Sequence, residues 1–198
     1  MEPSLLETPH GPARVHLRGV ASPRGALVLG HGAGGGVGSR DLAAASAAAL
    51  ELGVSVALVE QPYRVAGRRS PAPAHQLDAA WVAVVQELVS GDLSGLPLVA
   101  GGRSSGGRVA CRTAAATGAQ GVLCLAFPLE PPGGRPSRLP ELDAVTVPVL
   151  VVQGVRDPFG MPPEAAARTV VRVDSDHSLR TAADAVAAAV RAWLPGVL

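Results

Sequence analysis

The chain has 198 residues, of which 47% are hydrophobic and 17% are charged, and its formal net charge is +1. This length and composition predict one globular domain, residues 1–198, and exclude a disordered chain despite the 24 glycines and 18 prolines. The balanced charge excludes the strongly basic surface of nucleic-acid-binding proteins and gives no attraction to an anionic membrane surface.

Short apolar runs alternate with Ala-rich helical patterns along the chain. This alternation is typical of βαβ units and predicts the α/β class, with a mostly parallel sheet of about seven strands flanked by helices. The proline-rich segments 70–74 and 130–140 are too short for a cap domain, so we expect them to be excursions above the sheet. In chain order, strands are predicted at 13–18, 26–29, 54–59, 96–100, 122–127, 149–153 and 170–173, and helices at 41–52, 77–90, 105–117, 163–167 and 182–193.

A glycine-flanked serine at 104 lies between an apolar strand and an Ala-rich helix. A nucleophile elbow has this context, because a side chain at Gly102 or Gly106 would collide within so tight a turn. The helix that follows also directs free backbone N–H groups toward negative charge that develops at the serine. We therefore predict that Ser104 is a nucleophile; the alternative is a flexible Gly/Ser turn that binds nothing.

Downstream of Ser104 the sequence supplies an acid and then a base, which is the order that triads on open α/β sheets follow. Asp157 comes just after a predicted strand, where such sheets place catalytic groups, although a turn-forming aspartate is the alternative. His177 follows the next strand and is the only histidine after Ser104; the alternative is a histidine of a surface loop. Asp174 and Asp176 compete for the acid role, but they lie on the histidine's own short loop, from which the ring is harder to reach.

The glycine run 30–36 follows the second predicted strand and fits the second half of an oxyanion hole. The predicted donors are the backbone N–H groups of Ser105 and Ala33, with Gly32 as the alternative to Ala33. We expect His31 to brace this loop through a hydrogen bond rather than to act as a base.

The same glycine run supports dinucleotide binding as a rival interpretation. It matches the pattern GxGxxG after a strand, and Glu60 ends the next strand, where a ribose-binding acid belongs. This interpretation leaves the predicted triad unexplained and places the fingerprint after the second strand instead of the first. A Walker A phosphate loop is excluded, since the chain contains no lysine.

Three arginines lie in the run 61–69, and Arg103 precedes the predicted nucleophile. Arg64 and Arg103 are therefore candidates for binding an acidic group of a substrate. The interpretation that we prefer for the run 61–69 is a solvated loop whose arginines pair with Glu60 or Asp78.

Four segments, at 31–35, 62–64, 101–108 and 153–160, resemble those of small α/β-hydrolases related to dienelactone hydrolase, particularly the bacterial group similar to the KANL/Tex-type α/β-hydrolase-like domain. The resemblance covers nearly the whole chain and implies an α/β-hydrolase core without a large cap, with the predicted triad residues at the triad positions. Dienelactone hydrolase has a cysteine nucleophile where this chain has Ser104, so its substrate is not transferred.

The leading hypothesis is a serine hydrolase, similar to an esterase or thioesterase, that cleaves a small carboxylic ester or thioester through an acyl-enzyme and uses no cofactor. Relatives of the KANL type include members thought to act as scaffolds. A non-catalytic interaction module is therefore the second hypothesis, and dinucleotide binding is the third.

No run approaches the roughly 18 apolar residues that a membrane-spanning helix needs, and residues 1–4 do not resemble the start of a signal peptide. We therefore expect a cytoplasmic protein that acts on a small molecule, without a membrane or nucleic-acid partner. The sequence leaves open whether the chain forms homo-oligomers. Cys111 and Cys124 are expected to be buried small hydrophobic residues, and the absence of CxxC and HExxH motifs gives a metal site little support.

Overall fold

The molecule is organised around one sheet of eight strands, seen in a computed structural model that describes residues 2–198. The strand order is β1-β2-β4-β3-β5-β6-β7-β8. The pairings of β1 with β2 and of β2 with β4 are antiparallel, and all the others are parallel. The predicted class, a mostly parallel α/β sheet without a large cap, is confirmed. The strands are β1 Ser4–Leu6, β2 Ala13–Arg18, β3 Gly25–Gly30, β4 Val54–Glu60, β5 Leu98–Arg103, β6 Gly121–Leu125, β7 Val149–Gly154 and β8 Arg168–Val173.

Helices cover both faces of this sheet, which explains why β3, β6 and β7 are buried along their whole length and apolar at nearly every position. Residues of α1 and α6 share one core cluster, and residues of α3 and α4 share the other. The helices are α1 Arg40–Glu51, α2 Pro62–Val65, α3 Ala74–Ser90, α4 Ser105–Thr117, α5 Leu139–Asp143 and α6 Ala183–Trp193. Within residues 2–198, no helix combines the length and the apolar character that crossing a membrane requires.

The structure differs from the predicted elements at short segments. The eighth strand, β1, was not predicted because it has three residues and pairs only with β2. The helix predicted at 163–167 is wrong: a bridge joins Ala165 to Arg168, and the guanidinium of Arg168 donates to the carbonyl of Pro163 at 2.7 Å. Single-turn helices α2 and α5 were also missed, since so few residues carry no helical periodicity.

The two cysteines lie where α4 packs on β6. Both are buried and free, with 3.5 Å between their Sγ atoms. The prediction that Cys111 and Cys124 serve as small buried residues is confirmed.

Candidate active site

The turn between β5 and α4 holds Ser104 in an unusual backbone conformation, with φ 50° and ψ −107°. A positive φ is uncommon for a residue with a side chain and costs of order 1–3 kcal/mol, so the surrounding structure must enforce it. The Ser104 N–H donates to the carbonyl of Leu125 at 2.8 Å, which ties the turn to the neighbouring strand β6. The serine thus projects at the carboxyl end of the central parallel strands.

Glycines on either side of the serine let the turn pack against the end of β3. A Cβ added to Gly102 would lie 2.5 Å from the carbonyl oxygen of Gly30, and one added to Gly106 would lie 2.4 Å from the same atom. Both contacts are with backbone, which cannot rotate away. The predicted need for glycine at these two positions is confirmed.

The side chains of Ser104, His177 and Asp157 form one hydrogen-bonded chain. His177 Nε2 lies 3.0 Å from Ser104 Oγ, and His177 Nδ1 lies 2.8 Å from Asp157 Oδ2. Asp157 follows β7 and its side chain is fully buried, whereas His177 follows β8 and remains partly exposed. The competing carboxylates are placed elsewhere: Asp174 pairs with Arg156, and Asp176 accepts hydrogen bonds from Ser178.

Two residues that sequence reasoning missed hold Asp157 and His177. Gln153, fully buried at the end of β7, donates from Nε2 to Asp157 Oδ2 at 2.9 Å and also contacts the carbonyls of Phe127 and Gly160. The backbone N–H of Phe159 donates to Asp157 Oδ1 at 2.9 Å. The phenyl ring of Phe159 packs edge-on against the imidazole of His177, with 4.6 Å between the ring centroids. Gln153 had one sequence signal, since it is the only polar side chain in an otherwise apolar strand.

Arg103 joins three parts of the site through its guanidinium. Its Nε forms an ion pair at 3.0 Å with Oδ2 of the fully buried Asp41, in the first turn of α1. Its NH2 group donates to the backbone carbonyl of His177 at 3.0 Å. A Cβ at Gly32 would lie 2.7 Å from the third guanidinium nitrogen, so glycine there makes room for the arginine. Arg103 therefore connects the loops that carry His177 and the predicted oxyanion donors to the first turn of α1.

The loop after β3 is braced by His31, as predicted. His31 Nδ1 donates to the carbonyl of Gly32 at 2.8 Å, and His31 Nε2 accepts the N–H of Gln61 at 3.1 Å. These partners require the neutral ring protonated on Nδ1. The hydroxyl of Tyr63 donates to the carbonyl of Ala33 at 2.8 Å, and burial raises the pKa of Tyr63, which keeps this donor protonated.

The bond from His31 to the Gly32 carbonyl also orients one of the predicted oxyanion donors. Because a trans peptide points its N–H opposite to its carbonyl, anchoring the Gly32 carbonyl also directs the Ala33 N–H. Within residues 2–198 no acceptor binds the Ala33 N–H. Ser105 is the first residue of α4, so its N–H has no acceptor within the helix. Both donors stay predictions, with Gly32 as the alternative.

Burial makes His31 a source of pH-dependent stability. Desolvation lowers the pKa of His31 below the ordinary 6.5, against the opposing effects of the Gly32 carbonyl and Glu60. Below about pH 6.5 the unfolded chain therefore binds a proton more readily than the folded protein, so the free energy of unfolding decreases as the pH is lowered. We expect His31→Gln to flatten this slope below about pH 6.5, measured by urea unfolding at a series of pH values. The same change at the exposed His75 serves as control, and an unaltered slope in His31→Gln contradicts the assignment.

The arginines after β4 do not match the predicted pairings. Glu60 accepts from Arg14 at 3.0 Å, and Asp78 pairs with Arg112 at 2.6 Å, so neither binds the run 61–69. The guanidinium of Arg64 donates to the carbonyl of Arg68, and within residues 2–198 it forms no hydrogen bond or ion pair with the chain of side chains at Ser104. Residues 66–69 are exposed as expected, but residues 61–63 are buried, and the predicted ion pairs with Glu60 and Asp78 are wrong.

The residues of the dinucleotide interpretation also have other partners. Glu60 is engaged by Arg14 and lies 3.7 Å from the His16 ring, while the backbone of Gly30 is covered by the elbow glycines. The helix after the glycine run begins only at Arg40. A dinucleotide fingerprint places its glycines directly at the start of a helix, and this loop does not.

The sheet order, the elbow at the end of β5 and the loops that follow β7 and β8 define an α/β hydrolase without a lid. The family model described as alpha/beta hydrolase domain matches residues 23–188, and the chain belongs to this family. The predicted resemblance to α/β-hydrolases is thereby confirmed. No curated protein matches by sequence.

Solved structures share this fold at low sequence identity. An α/β serine hydrolase without lid from Xanthomonas campestris aligns with a TM-score of 0.77 and 23% identity, covering 98% of this chain and 95% of its own. Est1E from Butyrivibrio proteoclasticus aligns at 0.79 and 17%, covering 98% of each chain. Dienelactone hydrolase from Anabaena variabilis aligns at 0.76 and 17%, covering 100% of each.

Proposed function

We propose that this protein is a serine hydrolase that cleaves a carboxylic ester or thioester, with Ser104 as nucleophile, His177 as base and Asp157 as the orienting acid. The observation that carries the proposal is the continuous chain from Asp157 Oδ2 to His177 Nδ1, at 2.8 Å, and from His177 Nε2 to Ser104 Oγ, at 3.0 Å. Both distances are within the hydrogen-bond reach that nucleophile activation needs.

In the proposed reaction Ser104 Oγ attacks the acyl carbon and its proton passes to His177 Nε2. The tetrahedral oxyanion then expels the alcohol or thiol, which takes the proton from His177, and an acyl-serine remains. Water repeats the sequence: it gives a proton to His177, attacks the acyl carbon and releases the carboxylic acid, while the proton returns to Ser104. Asp157 stays ionised throughout and stabilises the imidazolium that forms twice.

The oxyanion is proposed to bind the N–H groups of Ser105 and Ala33. Preorganised backbone donors of this kind contribute on the order of 10²–10³ in kcat each, because they need no reorganisation as charge develops. The bond from His31 to the Gly32 carbonyl supports that preorganisation for the Ala33 N–H.

A fluorophosphonate probe tests the proposal, since it forms a covalent bond only with an activated serine. We expect the native protein to be labelled and Ser104→Ala to be unlabelled, with hydrolysis of p-nitrophenyl butyrate reduced by about 10⁴-fold or more. Ser94→Ala, an exposed serine in the loop before β5, is the matched control and should label like the native protein. Absence of labelling in the native protein, or equal labelling of Ser104→Ala, would falsify the nucleophile assignment.

A further inference from the structure

A cavity of about 420 Å³ adjoins the hydrogen-bonded chain, between the loop after β3 and the loop after β8. Two neighbours in the chain connect it to the site: Arg103 directly precedes Ser104, and Ser178 directly follows His177. A volume of this order accommodates a small-molecule group. The wall consists of three arginines, two serines and three glycines, namely Arg40, Arg103, Arg180, Ser39, Ser178, Gly34, Gly35 and Gly38.

The charge on this wall is positive. It contains three guanidinium groups and, within residues 2–198, no carboxylate. Arg40 and Arg180 are exposed, and neither forms an ion pair in the described part of the chain. Asp41 neutralises only Arg103, and Asp176 on the neighbouring loop accepts the N–H and O–H of Ser178. Two arginine charges of the wall therefore have no ion-pair partner among residues 2–198.

At two of the three glycines of the wall, neither a positive φ nor close packing requires glycine. Neither Gly34 nor Gly38 has a positive φ, and a Cβ at either position would meet nothing within 4 Å. What these glycines provide is an open wall that lets a ligand approach the backbone closely. The Oγ of Ser39, on the same wall, is buried and has no hydrogen-bond partner within residues 2–198. Ser39 directly precedes α1, so the positive end of the dipole of this 12-residue helix lies at the wall of the cavity.

We propose that this cavity is a subsite for an oxyanionic group, carboxylate or phosphate, carried by the ester or thioester substrate. The proposal rests on the proposed hydrolase function and names its substrate class. Arg40 and Arg180 bind the anion through charge-assisted hydrogen bonds, and Arg103 contributes from the side of the nucleophile. Of the two arginines that the sequence predicted to bind an acidic group, Arg103 lines this cavity and Arg64 does not.

The test compares two esters that differ in one charge, p-nitrophenyl hemisuccinate and its neutral methyl ester. We expect the native protein to prefer the anionic ester in kcat/KM by about tenfold, and Arg40→Gln/Arg180→Gln to abolish that preference. The ratio of the two kcat/KM values is the readout, so a general loss of activity cancels. Arg24→Gln is the matched control, because Arg24 is an exposed arginine just before β3. It lies at the amino end of the parallel strands, whereas the site lies at their carboxyl end.

The outcomes separate this inference from the hydrolase proposal. Turnover of both esters with the same ratio in the native protein and in the double variant overturns the subsite alone. No turnover of either ester overturns the hydrolase function, and the subsite with it. Comparing succinate with inorganic phosphate as inhibitors of hemisuccinate hydrolysis shows which oxyanion the cavity prefers. If neither inhibits, and the native protein shows no preference for the anionic ester, the subsite is also overturned.

Discussion

Replacing Asp157 by asparagine is expected to lower kcat by about 10⁴-fold while the protein stays folded. The carboxylate is surrounded by donors: His177 Nδ1 and Gln153 Nε2 approach Oδ2, and the Phe159 N–H approaches Oδ1. An asparagine that keeps its oxygen toward Phe159 presents its NH₂ group to His177. The ring then carries its proton on Nε2 and cannot accept the proton of Ser104.

The measurement is kcat for p-nitrophenyl butyrate, together with thermal unfolding to show that the variant is folded. The matched control is Asp174→Asn, which changes a mostly exposed carboxylate on the histidine's own loop. We expect Asp174→Asn to keep kcat within about twofold of the native value, since exposed ion pairs contribute little. Equal losses in the two variants, or full activity of Asp157→Asn, would show that Asp157 is not the orienting acid.

Replacing Gly106 by alanine is expected to lower the free energy of unfolding by about 3 kcal/mol or more. The new Cβ would lie 2.4 Å from the oxygen and 2.5 Å from the carbon of the Gly30 carbonyl, so α4 and β3 must move apart. Such a loss is a large fraction of the roughly 5–15 kcal/mol that stabilises a typical domain, and corresponds to a melting temperature lower by about 6–12 °C.

Urea and thermal unfolding measure this effect independently of activity. Gly19→Ala is the control, because Gly19 has no positive φ and a Cβ there would meet nothing within 4 Å. Alanine at Gly19 should leave the melting temperature within about 2 °C of the native value. If Gly106→Ala were as stable as Gly19→Ala, the close packing of the elbow on β3 would be wrong.

Much of the fold could be predicted from sequence because its signals are local. The apolar runs of the buried strands and the Ala-rich helical patterns alternate along the chain, and each is recognisable within a window of a few residues. The glycines around Ser104 are a local signal as well, since the turn that they permit is made by consecutive residues. Segments of three to five residues, such as β1 and α5, were missed because they are too short to show a period.

The amino-acid sequence by itself determined the class of fold, the elbow at Ser104 and the order of candidate acid and base, because each depends on residue types at short spacing. Only the tertiary structure decided which partners meet: His177 reaches Ser104 across 73 residues of chain, and Gln153 turns inward onto Asp157. It also decided that Arg103 contacts Asp41 and lines a cavity beside the site, whereas Arg64 does not. These pairings depend on how strands far apart in sequence lie side by side in the sheet, and no local pattern encodes that arrangement.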